Sequence, residues 1–268
     1  MKRYDLHCHS IYSDGSLTPK ELAALAKSVD LAGLAITDHD SFDSFFELQK
    51  EGIDCIPGIE LSCEFEQKSI HILGYSFDPH DAAFAAFCQK QRDFRRERLV
   101  KMCELLTLNG LALTVDDVAT SDDPRISYGR VHVAFALVKK GYITSPLDAF
   151  KRYIGDKAPC YVAGKRCSVE EGIAAIHAAK GFAVLAHPHL IDSKSLVRRL
   201  LKQKFDGLEA YYSRFSYEAN KAWVDRAQEK GLFVTGGSDF HGAVKPDLPL
   251  GISFCPEDVF QMLQKIKL

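Results

Sequence analysis

Near its beginning the chain reads DLHCHSIYSDG over residues 5–15. Side chains alternate in an extended segment, so His7 and His9 lie on one side and Cys8 lies on the other. Asp14 follows in a Ser-Asp-Gly turn, where a short carboxylate folds back towards the end of the strand. Two imidazoles beside a carboxylate suit Zn²⁺, Mn²⁺ or Fe²⁺ better than Mg²⁺ or Ca²⁺. The segment predicts a strand and turn that begin a metal site, with two ordinary strand histidines as the alternative.

Five later segments each read as a buried strand that ends in a residue able to bind a metal. They are GLAITDHD (33–40), IPGIE (56–60), SIH (69–71), AVLAHP (183–188) and FVTGGSDFH (233–241). Side chains at strand ends meet at the C-terminal face of a parallel α/β barrel, so the pattern predicts such a barrel with its site at that face. His80, His177 and His189 lie outside these motifs and are interpreted as surface residues or as residues behind the ligands.

The ordered motifs resemble those of the polymerase and histidinol phosphatase (PHP) superfamily of metal-dependent phosphoesterases. They read HCHSIYSDG, ITDHD, PGIELS, IHILGY, LAHP and GGSDFH, and the resemblance runs from His7 to Gly251. It implies an α/β fold in which a distorted seven-stranded (β/α)7 barrel, similar to a TIM barrel, carries a helical insertion. It also implies a hydrolase that acts on phosphoric ester bonds.

The apolar pattern predicts where the strands and helices lie. Strands are predicted at 3–9, 33–37, 53–61, 69–75, 182–186, 206–211 and 232–237. Helices are predicted at 21–30, 44–50, 168–180 and 217–230, with capping boxes at Thr18 and Ser168. Residues 80–166 contain no strand that ends in a residue able to bind a metal. Their pattern predicts helices at 82–108, 130–140 and 146–153. We therefore expect a metallo-barrel of residues 1–79 and 167–268, and a helical insertion of residues 80–166 that forms a lid or substrate domain.

The insertion and the rest of the chain carry opposite net charge. Residues 80–166 hold 15 Lys and Arg against 10 Asp and Glu, a net charge of +5, whereas the remainder holds 19 against 26, a net charge of −7. This difference predicts a basic lid over a site for phosphorylated substrates. A solvated helix face is the alternative for the arginines of the long helix, Arg92, Arg95, Arg96 and Arg98.

The motif Gly-Arg-Val-His at 129–132 stands at the start of a predicted helix. The guanidinium of Arg130 and the free N–H groups of a helix start can both face an anion. The insertion-bearing branch of the superfamily has a similar Gly-Arg-x-His motif, usually with Pro where this chain has Val131. We therefore predict that Arg130 and His132 bind substrate. A surface salt bridge is the alternative for Arg130, and a role outside the site is the alternative for His132.

Nine residues are predicted metal ligands: His7, His9, Asp14, His39, Glu60, His71, His187, Asp239 and His241. By the resemblance, they hold three divalent metal ions (Mn²⁺, Zn²⁺ or Fe²⁺): the first with His7, His9, Glu60 and Asp239, the second with Glu60, His71 and His187, and the third with Asp14, His39 and His241. A metal-bound hydroxide would then attack the phosphate, and no protein nucleophile is required.

Three further carboxylates have less certain roles in the sequence. Asp38 and Asp40 flank a predicted ligand and are candidates to orient an imidazole through its other nitrogen. A turn-forming role at the strand end is the alternative for Asp38. Glu209 lies in a predicted strand and is interpreted as a structural residue or as a residue that supports the ligands.

The whole-chain pattern looks most similar to bacterial PHP proteins that hydrolyse nucleoside 3′,5′-bisphosphates, such as pAp to AMP and phosphate, and to relatives that trim RNA from the 5′ end. We therefore predict a 3′,5′-bisphosphate nucleotidase that also acts as a 5′–3′ exoribonuclease on short 5′-phosphorylated RNA. One alternative is a phosphatase for another small metabolite, such as histidinol phosphate. The other is a non-catalytic metal-binding module, which the loss of ligands would favour; all nine are present.

Composition limits the class of protein and its partners. The 46% hydrophobic and 26% charged residues are typical of a globular protein. A net charge of −2 argues against tight binding of long nucleic acid, so we expect a small nucleotide or short RNA as substrate and no obligate protein partner. The chain starts without a signal region and contains no membrane-length apolar stretch, which predicts a cytoplasmic protein. Eight cysteines without a Cys-x-x-Cys pair predict reduced, mostly buried thiols.

Overall fold

The structure is a computed structural model that describes residues 2–265. Its strands are β1 (Tyr4–Cys8), β2 (Gly33–Ile36), β3 (Asp54–Cys55), β4 (Gly58–Phe65), β5 (Lys68–Tyr75), β6 (Cys167–Ser168), β7 (Phe182–Leu185), β8 (Gly207–Tyr212) and β9 (Phe233–Gly237). Its helices are α1 (Pro19–Ser28), α2 (Ser44–Leu48), α3 (Ala82–Leu108), α4 (Val115–Val118), α5 (Arg130–Lys139), α6 (Pro146–Ala149), α7 (Val169–Ala178), α8 (Lys194–Leu200), α9 (Tyr217–Lys230) and α10 (Glu257–Lys265).

The strands form two sheets that meet at two junctions. One sheet has the order β1-β2-β3 and the other has the order β6-β4-β5-β7-β8-β9. At one junction the backbone N–H of His9 donates to the carbonyl oxygen of Phe240 (2.8 Å), and at the other the N–H of Glu60 donates to that of Asp38 (3.1 Å). Most neighbouring strands are parallel, so the fold is mixed α/β with a largely parallel sheet. The closed seven-stranded barrel stays a prediction.

Strand β5 is antiparallel to both of its neighbours, β4 and β7, so the prediction of an all-parallel barrel is wrong at this strand. Glu66 and Gln67 join β4 to β5 in a two-residue turn, with left-handed φ angles of 50° and 63°. Such a turn produces an antiparallel hairpin, whereas a parallel pair needs a connection of about a dozen residues or more. His71 therefore reaches the site from the middle of a reversed strand rather than from a C-terminal end.

Two other predicted elements have different bounds in the structure. The predicted strand 53–61 is divided into β3 and β4 around Pro57, which lacks the N–H group that continues a ladder. The predicted helix 146–153 ends early as an α-helix, and the chain continues in a π-helical turn at Phe150–Ile154. The capping boxes predicted at Thr18 and Ser168 are confirmed.

The insertion has a hydrophobic core of its own. One cluster of buried apolar side chains contains only residues between 99 and 160. Helix α3 joins this core to the rest of the molecule, because Phe84 and Cys88 near its N-terminus pack in a different cluster with residues of β4, β5, β7 and β8. On this basis we propose that residues 80–166 form an inserted domain, and its boundaries stay a prediction.

Strands β1 and β9 approach each other more closely than two side chains allow. A Cβ atom on Gly237 would lie 2.4 Å from the backbone nitrogen of His7. The buried carboxylate of Asp5 fastens the same region, since its Oδ1 accepts hydrogen bonds from the backbone N–H groups of His7 (3.1 Å) and Ser238 (3.0 Å). The metal-ligand residue types that follow both strands consequently lie beside each other.

The prediction of reduced, mostly buried thiols is confirmed. All eight cysteines are free, and all but Cys55 are buried. Cys8 packs in the wall beneath α1, where its Sγ donates to the carbonyl oxygen of Ala35 (3.4 Å). Within residues 2–265, none of the helices has both the length and the apolar character needed to cross a membrane.

Candidate metal centre

The carboxylate of Glu60 in β4 lies among five imidazoles. Three ring nitrogens approach Oε2: His39 Nδ1 at 3.2 Å, His9 Nε2 at 3.3 Å and His7 Nε2 at 3.4 Å. Two approach Oε1: His71 Nδ1 at 2.8 Å and His187 Nε2 at 3.0 Å. Glu60 is only 1% exposed, so these groups rather than solvent surround its charge. One carboxylate thus connects two sets of ring nitrogens.

Two further carboxylates and a sixth imidazole complete the set, which we call the nine-residue cluster. Asp14 Oδ1 lies 3.3 Å from His241 Nε2, 3.7 Å from His9 Nδ1 and 3.8 Å from His39 Nε2. Asp239 Oδ1 lies 3.4 Å from His9 Nε2 and 3.6 Å from His7 Nε2. Candidate ligand atoms within 4.8 Å of one another form three groups: His9, Asp14, His39 and His241; His7, His9 and Glu60; and His39, Glu60 and His71. The structure therefore brings all nine predicted residues together.

The donor atoms of the cluster fit divalent metal ions. Within the described residues, buried atoms without a hydrogen-bond partner include His7 Nε2, His9 Nε2, His39 Nδ1 and Asp14 Oδ1. An unpaired buried polar atom costs about 1–3 kcal/mol, and a cation between such atoms would satisfy several of them at once. Imidazole nitrogens with carboxylate oxygens suit Zn²⁺, Mn²⁺ or Fe²⁺.

The carboxylates of the cluster are held in their charged form. Burial acts to raise the pKa of Glu60, but the surrounding imidazoles, His71 foremost, hold that pKa well below its usual range. Burial likewise acts to raise the pKa of Asp239, and Lys245 is the main group that holds it low. Ligands to a divalent cation must be deprotonated, so both carboxylates are in the required state at neutral pH.

Asp239 is oriented by two residues that the sequence did not reveal. Tyr212 donates its hydroxyl hydrogen to Asp239 Oδ2 (2.7 Å), and Lys245 Nζ donates to the same oxygen (2.9 Å). These bonds leave Oδ1 directed at the imidazoles. Asp239 and His187 also have positive φ angles, 54° and 26°, and such strained backbone in residues other than glycine is concentrated at functional sites.

Glu209 in β8 is fully buried and binds the far side of His7. Its Oε1 accepts a hydrogen bond from His7 Nδ1 (2.8 Å), and its Oε2 accepts one from the backbone N–H of His187 (2.7 Å). A carboxylate in this position fixes the tautomer and orientation of a metal-binding imidazole. Of the two interpretations made from the sequence, the contacts favour a residue that supports the cluster.

Glu209→Gln is expected to lower metal affinity and activity about 10–100-fold, because an amide is a poorer partner for the N–H of a metal-binding imidazole. Metal content after dialysis against buffers of decreasing metal concentration measures the first effect, and phosphate release measures the second. Glu229→Gln, on the exposed side of α9, is the matched control. Metal affinity equal to that of the wild type would contradict this role for Glu209.

Asp38 holds the turn that presents Asp14. It accepts hydrogen bonds from the backbone N–H of Ser10 and from the hydroxyl of Ser13, both at 2.7 Å. These bonds show the turn-forming role that was the alternative for Asp38. The prediction that it orients an imidazole directly is wrong.

Asp40 fastens the long helix α3 to the sheet. Its Oδ2 pairs with Arg95 Nε (2.5 Å), its Oδ1 accepts a hydrogen bond from the N–H of Ser62 (2.9 Å), and its carbonyl oxygen accepts one from Arg92 Nη1 (2.9 Å). The predicted imidazole-orienting role is therefore wrong for Asp40 as well. A solvated helix face is also the wrong description of Arg92 and Arg95.

A cavity of about 140 Å³ adjoins the cluster, and we call it the arginine cavity. Its lining includes Asp14, His39 and His71 from the cluster and Arg98, Arg130 and Arg166 from the insertion. Burial, followed by the nearby charges of Arg130 and Arg166, lowers the pKa of Arg98 to about 9. Arg98 Nη2 is buried without a hydrogen-bond partner in residues 2–265. Guanidinium groups gathered in this way form a site for an anion.

Arg130 stands at the first position of α5 and lines the arginine cavity. It also pairs with the exposed carboxylate of Asp156, with 2.8 Å between Nη1 and Oδ1. The salt bridge that was the alternative for Arg130 is thus present, and Arg130 also lines the arginine cavity. A role of Arg130 in substrate binding stays a prediction.

His132 joins α5 to the turn that carries Asp14. Its Nδ1 accepts a hydrogen bond from the N–H of Gly129 (3.0 Å), and its Nε2 donates to the carbonyl oxygen of Ser13 (2.9 Å). Burial lowers the pKa of His132, in keeping with the neutral form that both bonds require. Both ring nitrogens are thus used within the protein, and a role of His132 in substrate binding stays a prediction.

Sequence reasoning missed Tyr212, Lys245 and Arg166. Tyr212 is the last residue of β8, so the rule that strand ends carry site residues would have found it. Lys245 and Arg166 lie outside helices and strands, where no periodicity indicates the direction of a side chain.

The fold is that of the metal-dependent phosphoesterases. The chain belongs to the PHP domain family, whose model matches residues 5–139, and the resemblance noted from the motifs is confirmed. The chain is 34% identical to the 5′-3′ exoribonuclease of Haemophilus influenzae, over 90% of each chain. It is 32% identical to the 3′,5′-nucleoside bisphosphate phosphatase of Chromobacterium violaceum, over 90% of this chain and 88% of that one. A solved structure from Bifidobacterium adolescentis, described as a candidate metal-dependent phosphoesterase, matches with a TM-score of 0.90 at 30% identity, over 100% of this chain and 98% of that one.

Proposed function

We propose that this protein removes the 3′-phosphate from nucleoside 3′,5′-bisphosphates and, by the same chemistry, trims short 5′-phosphorylated RNA from the 5′ end. The observation that carries this proposal is that Asp14, His39 and His71 of the nine-residue cluster line one cavity together with the guanidinium groups of Arg98, Arg130 and Arg166. A substrate with two phosphate groups can place one at the cluster and the other against the arginines. The names of the relatives from H. influenzae and C. violaceum support both substrates.

We propose the division of the nine residues among three divalent ions that the family resemblance implies. The contacts of Glu60 support the first two groups, since Oε2 faces His7 and His9 whereas Oε1 faces His71 and His187. Oε2 also lies 3.2 Å from Nδ1 of His39, which the resemblance assigns to the third ion. The position of Asp14 beside His241 supports the third group. When bound, the ions supply Lewis-acid activation of water and of the phosphate oxygens.

The protein's own groups hold and orient this assembly. Glu209 fixes the ring of His7, and Tyr212 and Lys245 fix the carboxylate of Asp239. The arginines hold the phosphate that does not react, so binding energy from a remote part of the substrate positions the reacting phosphorus. The same hold would serve a bisphosphate and the 5′ end of an RNA strand.

The arginine cavity also separates this proposal from its alternatives. A substrate with an amine, such as histidinol phosphate, would bring a positive charge towards the guanidinium groups of the arginine cavity, which is unfavourable in a partly buried site. A non-catalytic metal-binding module would not need an anion site beside the cluster. A cytoplasmic location and the lack of an obligate partner stay predictions.

The test is to load the protein with Mn²⁺ and to supply adenosine 3′,5′-bisphosphate and a short 5′-phosphorylated RNA in separate reactions. We expect AMP and phosphate from the first and successive mononucleotides from the second. Cleavage of simple aryl phosphates alone would refute the nucleotide assignment while leaving the metal chemistry in place. Little bound metal and no phosphate release would instead indicate a binding module.

A further inference from the structure

A second cavity, of about 510 Å³, lies between α8 and α9, and we call it the aromatic pocket. Its lining combines rings with cations and includes His189, Phe215, Trp223, Lys194 and Arg226. His189 stacks on Phe215 with the ring centroids 4.8 Å apart and contacts Trp223 at 5.5 Å. The guanidinium of Arg226 lies 5.2 Å from the ring centre of Trp223. Planar apolar surfaces with cations beside them are the features that bind single-stranded nucleic acid without regard to sequence.

A series of ring contacts connects the cluster with the aromatic pocket. His71 lines the arginine cavity and contacts His187 with 5.3 Å between the ring centroids. From His187 a contact of 5.8 Å leads to Tyr212, and one of 5.9 Å leads on to His189 at the aromatic pocket. Tyr212 is buried between them, so the aromatic pocket lies two ring contacts from His187. A nucleotide that follows a phosphorus at the cluster would be at this distance.

His189 contributes its ring, and not free nitrogens, to the aromatic pocket. Both ring nitrogens are buried, and the side chain of Asn220 and the backbone of Ala210 lie within reach of them. A nucleobase offers a flat face to such rings. Lys194 and Arg226 outnumber the one carboxylate of the lining, Asp192, beside its phosphodiester link.

We propose that the aromatic pocket binds a base of the RNA strand downstream of the scissile phosphorus. The proposal rests on the proposed function, since it concerns the exoribonuclease substrate of the same metal centre. Under this proposal the aromatic pocket distinguishes RNA from a nucleoside bisphosphate, whereas the arginine cavity binds a phosphate of either substrate. Only an oligonucleotide reaches the aromatic pocket, because a nucleoside bisphosphate ends at the cluster.

Trp223→Ala is expected to raise the KM for a 5′-phosphorylated tetraribonucleotide about tenfold or more, by loss of one stacking platform, and to leave the KM for adenosine 3′,5′-bisphosphate unchanged. Arg226→Gln keeps the indole ring of Trp223 and removes a cation. It is expected to raise the oligonucleotide KM less than Trp223→Ala does, and to make that KM less sensitive to salt. Tyr217→Ala is the matched control, because Tyr217 is an aromatic residue of the same helix that is 73% exposed.

Trp223 is the single tryptophan of the chain, so its fluorescence reports on the aromatic pocket without any need for turnover. We expect a slowly cleaved phosphorothioate tetraribonucleotide with a 5′-phosphate to quench the fluorescence of the Mn²⁺-loaded protein, and adenosine 3′,5′-bisphosphate to leave it unchanged. An absence of quenching, with oligonucleotide KM values unchanged in both pocket variants, would overturn the proposal while normal bisphosphate hydrolysis keeps the proposed function. If neither substrate is hydrolysed, the proposed function fails, and quenching alone decides whether the pocket binds RNA.

Discussion

Replacing Glu60 with Gln is expected to abolish hydrolysis of adenosine 3′,5′-bisphosphate and to lower metal content. Its two carboxylate oxygens face different sets of imidazoles, and an amide presents only one oxygen and no charge. Loss of a residue that supports a metal ligand lowers metal affinity or activity about 10–100-fold. Loss of a carboxylate at the centre of the cluster is therefore expected to lower activity more than about 10³-fold. Phosphate release and elemental analysis of the purified protein measure the two effects.

The control for Glu60→Gln is Glu64→Gln, which makes the same chemical change on the same strand outside the cluster. Thermal unfolding of both variants without added metal checks that the fold is retained. Full activity in Glu60→Gln with normal metal content would refute the assignment of Glu60 as a shared ligand. Loss of activity with metal content unchanged would instead place Glu60 in contact with the substrate alone.

Replacing Arg130 with Met is expected to raise the KM for adenosine 3′,5′-bisphosphate about 10–100-fold, since a hydrogen bond to a charged group contributes about 1.5–3 kcal/mol. Metal content is expected to stay unchanged, because Arg130 lies on the arginine side of the cavity. Hydrolysis of an aryl phosphate, which has one phosphate group, is expected to change much less. Steady-state kinetics with both substrates measure the difference.

Two further variants separate phosphate binding by Arg130 from its salt bridge. Asp156→Asn removes the partner carboxylate and keeps the guanidinium; an exposed pair of this kind contributes at most about 1 kcal/mol, so bisphosphate kinetics should be close to those of the wild type. Arg152→Met removes an exposed arginine of the same insertion and should have no effect. If Asp156→Asn raised KM as much as Arg130→Met, the role of Arg130 would be structural.

The nine residues of the cluster could be predicted because each belongs to a local pattern. Alternation along β1 places His7 and His9 on one side, and motifs at the ends of other strands add most of the rest. The direction of β5 was predicted incorrectly, although the short connection between the strands excludes a parallel crossover. Glu66 and Gln67 form the turn without the Asn-Gly or Asp-Gly signature of such hairpins, so the residue types did not indicate a hairpin.

The surroundings of the cluster were harder to predict than the cluster itself. Both ring nitrogens of His132 are used by backbone groups, one of them 119 residues away in the sequence at Ser13, and no local pattern records this. The guanidinium groups of Arg98 and Arg166 meet only because α3 and the segment before β6 pack side by side. The aromatic pocket likewise combines residues of α8, α9 and the loops between strands and helices.

The sequence by itself determined the α/β class, the family and the set of nine residues that meet at one site. These features follow from short-range periodicity and from motifs, which depend on neighbouring residues along the chain. Only the tertiary structure decided that Asp40 binds Arg95, that Tyr212 and Lys245 orient Asp239, and that arginines of the insertion share a cavity with part of the cluster. Those contacts depend on the direction of side chains brought together from distant segments, and packing of the whole molecule sets that direction.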